Sequence, residues 1–183
     1  ALVTEGYMDV VALAQLGFPQ AVATLGTACT PIHVQKLLRQ TDQVIFSFDG
    51  DKAGRRAARR ALEASLPHAG DNKVIKFLFL PSEHDPDSYI RELGSEAFEK
   101  QVQDAMPLSQ FLLKEAVGDN DLGTPEGRAR AQFDAKPLLQ ALPPSSLRLQ
   151  IVRSLAQITE STPAGIEALF ELSQPISHVR APP

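Results

Sequence analysis

Apolar positions follow two rhythms along this chain, and the change comes near residue 106. Before it, short and largely apolar runs at residues 2–4, 21–25, 44–48 and 74–80 are separated by stretches with helical spacing. Val10, Val11, Leu13 and Ala14 form one such stretch, and Val34, Leu37 and Leu38 a second. Ala53, Ala57, Ala58, Ala61 and Leu62 form a third. Runs of this kind, unlike alternating ones, suit strands covered on both faces, as in a parallel sheet. Strand and helix in alternation over this length predict a doubly wound α/β layer structure.

Helix starts are marked by a repeated dipeptide. Thr30-Pro31, Asp85-Pro86, Thr124-Pro125 and Thr162-Pro163 each put a side chain that accepts a backbone N–H ahead of a proline suited to the first helical position. Gly6, Gly26 and Gly50 come at or just past the ends of strand runs, where the chain must turn. After residue 106 the strand pattern stops. Leu108, Phe111 and Leu112 open one helical pattern, and a second runs from Thr124 towards Leu142 and ends at Pro143-Pro144. A third uses Leu147, Ile151, Val152, Leu155 and Ile158, and a fourth uses Ile166, Leu169 and Phe170. The expected organisation is an α/β unit over 1–106, a small all-α helical bundle over 107–173, and a proline-rich linker over 174–183.

Composition adds exclusions. With 183 residues, 43% apolar and 22% charged, the chain can build one ordinary core or two small ones. Its apolar stretches fall well short of the ~18 residues of a membrane span. Cys29 is the single cysteine, which rules out a disulfide scaffold and a CxxC-type zinc site within these residues. No secretory leader pattern opens the chain. It starts at Ala1 with a strand pattern from Leu2, and is expected to be a segment of a longer protein.

The formal charge of −4 argues at first against a nucleic-acid partner. Its distribution changes that. Residues 1–106 hold 11 Lys and Arg against 14 Asp and Glu; five of those acids follow strand runs, and five of the bases crowd into residues 52–60. Glu5 follows the first run, Asp49 and Asp51 the third, and Asp85 and Asp87 the fourth. Ligands of open parallel sheets bind beyond the carboxyl ends of the strands, so these five carboxylates are expected at one edge. Clustered carboxylates repel unless a cation holds them, and hard oxygen donors suit Mg²⁺ or Mn²⁺. The chemistry this favours is metal-assisted phosphoryl or nucleotidyl transfer.

Gly6, Gly26 and Gly50 would let backbone approach a phosphate, with the Thr27 hydroxyl beside them. Each piece also has a plainer reading: a single Asp at a strand end is commonly a helix cap, and Pro86 makes Asp85 a ready one. The basic run Lys52, Arg55, Arg56, Arg59 and Arg60, its alanines on one stripe, reads either as a solvated face or as a contact to nucleic-acid phosphates. Tyr7 and Tyr89 are the only tyrosines, so base-stacking surface is scarce. His33 falls in a first helical turn, His68 in a turn and His178 in the tail, while His84, next to Asp85, is expected to face solvent. Cys29 reads as a packing residue.

The segments EGYMDVVAL, LGT, DGDKAGRRAA and FLPSEHDPDSYIRE together resemble the Toprim domain of bacterial replicative DNA primases. The resemblance continues through Ala105-Met106-Pro107-Leu108-Ser109 and Thr124-Pro125-Glu126-Gly127-Arg128-Ala129, and covers about residues 1–172. It implies a Toprim-type open parallel sheet flanked by helices and followed by a helical bundle. Glu5, Asp49 and Asp51 would be the principal metal ligands, with Glu5 also a general acid or base. Asp85 and Asp87 would support a further metal or the outer shell, and Asp9 would lie nearby in that outer shell. The implied reaction is RNA primer synthesis on single-stranded DNA, in which a 3′-OH attacks the α-phosphate of an NTP and pyrophosphate leaves.

The implied cofactor is Mg²⁺ or Mn²⁺, with zinc only in an amino-terminal domain outside these residues. Implied partners are template, NTPs, the RNA–DNA primer hybrid and, through a carboxy-terminal domain also outside them, the replicative helicase. The expected setting is the bacterial cytoplasm, with this segment monomeric and poorly active alone. Other readings stay open. A topoisomerase or OLD-type nuclease shares the Glu-Gly and Asp-x-Asp pattern, though neither tyrosine lies in a module suited to strand transfer. A haloacid-dehalogenase-type phosphatase would use Asp49 as nucleophile, but Ala53 stands where that family has Thr or Val. A non-catalytic replication module would dock partners through the helical half.

Overall fold

Residues 44–48 are buried without a break, so this strand must be covered on both sides. The computed structural model describes residues 2–4, 21–23, 30–81 and 83–172. Within them, the strands are β1 (Leu2–Thr4), β2 (Ala21–Ala23), β3 (Gln43–Phe48), β4 (Val74–Phe79) and β5 (Met106–Pro107). They form one sheet in the order β2-β1-β3-β4-β5. The first four are parallel, with Val3 beside Phe46 and Phe46 beside Phe77, while β5 runs antiparallel to β4.

Helices α1 (Pro31–Gln40), α2 (Lys52–Ser65), α3 (Pro86–Leu93) and α4 (Ser95–Gln103) follow the sheet's alternation. Val44, Phe46, Phe48, Ile75 and Phe77 share one core with Val34 and Leu38 of α1 and with Ala58, Ala61 and Leu62 of α2. Leu2, Ile45, Leu78 and Leu80 join a second core with Tyr89 and Ile90 of α3 and Phe98 of α4. Helices on both faces give the doubly wound α/β arrangement that the apolar runs predict.

All four Thr/Asp-Pro starts cap helices. Thr30 accepts from the His33 N–H at 3.3 Å, and His33 Nδ1 accepts in return from the Thr30 N–H at 3.3 Å. Asp85 caps α3, Thr124 caps α6 (Pro125–Ala141), and Thr162 caps α8 (Pro163–Leu169). Between these run α5 (Leu108–Val117) and α7 (Ser146–Ile158). Each cap satisfies one of the N–H groups that the first turn leaves without a partner.

Helices α5 to α8 do not stand apart from the sheet. Phe111 and Leu112 of α5, Leu138 and Leu139 of α6, Leu155 of α7 and Ile166 of α8 belong to the same core as Phe46 and Phe77. The Phe111 ring centroid lies 4.8 Å from that of Phe77 and 5.3 Å from that of Phe79, with the planes tilted by 39° and 54°, within the centroid range of favourable aromatic pairs. Three details differ from the sequence expectation. The strand pattern does not stop at 106, because Met106 and Pro107 pair with Phe77 and Lys76. Leu169 is 63% exposed and leaves its core place to Phe170. Ala53 is exposed, and Gly54 carries the buried stripe in the first turn of α2. No described helix is long and apolar enough to cross a membrane.

Candidate metal and phosphate site

Strand β3 ends at Phe48 and hands directly to Asp49-Gly50-Asp51, so its carboxyl end carries two carboxylates within three residues. Asp51 sits in extended backbone as the cap of α2, its Oδ1 accepting from the Gly54 N–H at 2.7 Å. Oδ2 of Asp51 has no hydrogen-bond partner among the described residues. Asp49 is half-buried. Gly54 is what permits this turn: a Cβ there would overlap the carbonyl oxygen of Asp49 and come within 2.9 Å of its carbonyl carbon. The first turn of α2 is thus pressed against the backbone of a candidate ligand. The sequence reasoning missed that role, and the Asp-x-x-x-x-Gly spacing is the signal that carries it.

The neighbouring strand delivers the second acidic pair. Past β4, the Leu80 N–H bonds to the Phe48 carbonyl at 3.2 Å, keeping the two strand ends together. Asp85 then caps α3, accepting from the Ser88 N–H at 2.7 Å, while the Asp85 N–H donates to Ser88 Oγ at 3.1 Å. Asp87, half-buried, pairs with Arg91 at 3.1 Å. Capping thus occupies Asp51 and Asp85 through one oxygen each, and each retains a second carboxylate oxygen. His84 corrects the expectation of solvent exposure. It is buried, with Nε2 3.0 Å from Glu92 and Nδ1 3.1 Å from Ser88 Oγ, and its ring meets Tyr89 edge-on.

Thr4, the last described residue of β1, precedes Glu5 at the edge where β3 also ends. Glu5, Gly6, Tyr7, Asp9, Gly26, Thr27, Cys29 and His178 lie outside the described residues. Among the described residues no three acidic, His or Cys side chains gather closely enough to hold a metal ion. The described donors at this edge are nonetheless all carboxylates, the hard-oxygen chemistry that Mg²⁺ and Mn²⁺ prefer.

The basic run divides in two. Lys52, Arg55, Arg56 and Arg60 are exposed on α2. Arg59, at 35% side-chain exposure, bridges Glu63 at 3.0 Å and Glu115 of α5 at 3.2 Å, and so ties α2 to the helical segment. One residue of the five is therefore committed within the fold.

This geometry can be set beside known proteins. A Toprim-like family model matches residues 2–90, and a model described as the DnaB-helicase binding domain of primase matches residues 109–163. The DNA primase of Escherichia coli K12 is 51% identical over 154 residues, 84% of this chain and 26% of that protein. The crystal structure of a DNA primase domain from Pseudomonas aeruginosa superposes with a TM-score of 0.88 at 44% identity, covering 93% of this chain and 53% of that one. The chain belongs to the bacterial DnaG-type primases.

A DnaG primase catalytic domain bound to single-stranded DNA matches equally well, with a TM-score of 0.85 and 47% identity over 90% of this chain and 52% of that one. The chain spans about a quarter of the length of its curated primase relatives and about half of these structures. The helicase-binding description falls on residues inside this chain, whereas the sequence resemblance implies such a contact only through a domain outside it.

Proposed function

We propose that this chain is the metal-binding and helical part of a primase that joins ribonucleotides into short RNA primers on a single-stranded DNA template. The observation that carries this reading is the Asp49-Gly50-Asp51 turn. It stands at the carboxyl end of β3, beside the end of β1 that leads into Glu5 and the end of β4 that leads to Asp85 and Asp87. Glu5, Asp49 and Asp51 would hold Mg²⁺ or Mn²⁺ as principal ligands, with Asp85 and Asp87 towards a further ion and Asp9 behind them. The bound cation would neutralise phosphate charge and favour attack of a 3′-OH on an NTP, with release of pyrophosphate. The chain's own part is to hold these carboxylates in register. Asp51 and Asp85 are fixed by their caps, and Asp49 is held by the turn that Gly54 allows.

Gly6, Gly26, Thr27 and Gly50 would let phosphate oxygens approach backbone. Lys52, Arg55, Arg56 and Arg60 would steer template or primer–template hybrid by charge, and Arg59 would act by fixing α2 against α5. Residues 1–106 would form the catalytic unit, 107–173 the helical one and 174–183 a linker. The description of the match over 109–163 supports a helicase contact in the helical unit. Zinc would belong to a domain outside these residues, and the segment alone, a monomer in the bacterial cytoplasm, would synthesise little primer.

The test is Asp49→Asn with Asp51→Asn in the full-length protein. Asn still accepts from the Gly54 N–H, so the cap survives while both charges go. Primer synthesis and Mn²⁺ binding should be lost while thermal unfolding stays near that of the parent. Near-normal primer synthesis would sink the assignment.

A further inference from the structure

Where the loop after β4 enters α3, the imidazole of His84 is buried with both of its nitrogens engaged. Its backbone N–H bonds to the Pro81 carbonyl at 2.9 Å and closes the loop. His84, Ser88 and Glu92 are spaced by four and share one face of α3 and its lead-in. Nε2 lies 3.0 Å from Glu92, and Nδ1 lies 3.1 Å from Ser88 Oγ. These partners assign the tautomer. A carboxylate only accepts, so Nε2 carries the proton and Nδ1 of the neutral ring accepts from the Ser88 hydroxyl. That leaves the lone pairs of Ser88 Oγ to the Asp85 N–H at 3.1 Å, while the Ser88 N–H holds Asp85 Oδ1 at 2.7 Å. One chain of hydrogen bonds therefore runs from Glu92 through His84 and Ser88 to Asp85.

Packing against Tyr89 would be served by Leu or Phe, with no buried ring nitrogens to satisfy. The pair with Glu92 adds little by itself, because Glu92 is 69% exposed. Asp51 has a different support. Gly54, third in α2, seats that helix directly on the Asp49 backbone. Ser88 takes the same third position in α3, and there Asp85 is exposed. An exposed carboxylate keeps one orientation only if its neighbours hold it, and His84 is the buried anchor on this side of the edge.

We propose that His84 is a positioning residue for Asp85. It holds Ser88 and the loop so that Asp85 keeps one oxygen in the cap and presents the other at the sheet's carboxyl edge. The proposal rests on the reading of Asp85 as a metal-supporting carboxylate, and His84 itself touches neither cation nor substrate.

The test is Mn²⁺ binding by the full-length protein, followed by electron paramagnetic resonance, alongside urea unfolding. His84→Phe keeps a ring against Tyr89 and removes both ring hydrogen bonds. His84→Asn keeps an acceptor at the place of Nδ1 and gives up Glu92, and His84→Gln does the reverse. His84→Phe and His84→Gln should weaken Mn²⁺ binding roughly threefold to tenfold, the scale of one lost hydrogen bond. His84→Asn should restore it to near the parental value. In a Ser88→Ala background, His84→Phe should have no further effect on Mn²⁺ affinity, because the two side chains act as one unit.

A role in packing alone predicts a different order: unchanged binding in all three variants, with His84→Phe the most stable. Mn²⁺ affinity unchanged in His84→Phe, or losses that add independently to those of Ser88→Ala, would overturn the proposal. If Asp85→Asn then also leaves Mn²⁺ binding intact, the reading of Asp85 as a metal-supporting residue falls too. If Asp85→Asn weakens binding, that reading stands without His84.

Discussion

Gly54→Ala is the sharpest test of how the candidate ligands are held. In a helix this change ordinarily gains up to about 1 kcal/mol. Here the new Cβ would overlap the Asp49 carbonyl oxygen and lie 2.9 Å and 3.2 Å from the carbonyl carbon and nitrogen of Asp49. The obstructing atoms are backbone, with no flexible side chain to swing aside. Relieving such overpacking costs about 1–3 kcal/mol. Moving the first turn of α2 outwards also stretches the 2.7 Å bond from the Gly54 N–H to Asp51, a cap worth about 1 kcal/mol.

The net expectation is a loss of roughly 1–3 kcal/mol, and at about 2–4 °C per kcal/mol for a chain of this size the melting temperature falls accordingly. Urea unfolding read by circular dichroism measures it. Gly70→Ala is the reference, because its nearest neighbour would be the Asn72 side chain at 3.9 Å. Mn²⁺ affinity should fall in Gly54→Ala and not in Gly70→Ala. A Gly54→Ala protein with a urea midpoint equal to or above that of the parent would refute the reasoning.

Phe111→Ala should cost about 3–5 kcal/mol, and hydrogen exchange should speed up in β4 and α5 together, because Phe111 packs on Phe77 and Phe79. Faster exchange in α5 alone would contradict a shared core. Ser47 Oγ is buried and has no hydrogen-bond partner among the described residues. Ser47→Ala should therefore be neutral or stabilising by about 1 kcal/mol in urea melts, and a clear destabilisation would mean that the hydroxyl is satisfied. Asp85→Ala should lower stability by about 1 kcal/mol through loss of the cap while Asp85→Asn does not. If Asp85 also holds metal, both changes weaken Mn²⁺ binding, and equal stability losses would count against the capping role.

Much of the fold was legible because it rests on local rules. The Thr-Pro and Asp-Pro dipeptides act within one helical turn, and all four mark real helix starts. The run at 44–48 is buried without a break and 75–80 is buried or half-buried, with Val74 exposed at its start, which is what a largely apolar run encodes. The features that were not legible depend on which distant backbone comes close. Gly54 reads as an ordinary helix glycine until Asp49 is seen against it. Arg59 reads as one more surface cation until Glu115 arrives from 56 residues away. His84 has the composition of an exposed loop residue, and only the return of α3 with Ser88, Tyr89 and Glu92 buries it. At the site, residue types and strand ends were readable, whereas the double duty of Asp51 and Asp85 as caps needed the helices in place.

The two-residue strand β5 has a bearing on how this segment can be cut. Its pairing covers Lys76 and Phe77 on the outer side of β4, the last parallel strand of the sheet. A chain ending at residue 105 would leave that row of backbone donors and acceptors open, next to phenylalanines stripped of Phe111. An uncovered edge beside apolar surface is a template for strand-to-strand association between molecules. Any attempt to express the α/β part by itself should therefore keep Met106 and Pro107 with α5, or replace that edge with a charged or proline-bearing one, to remain free of aggregates.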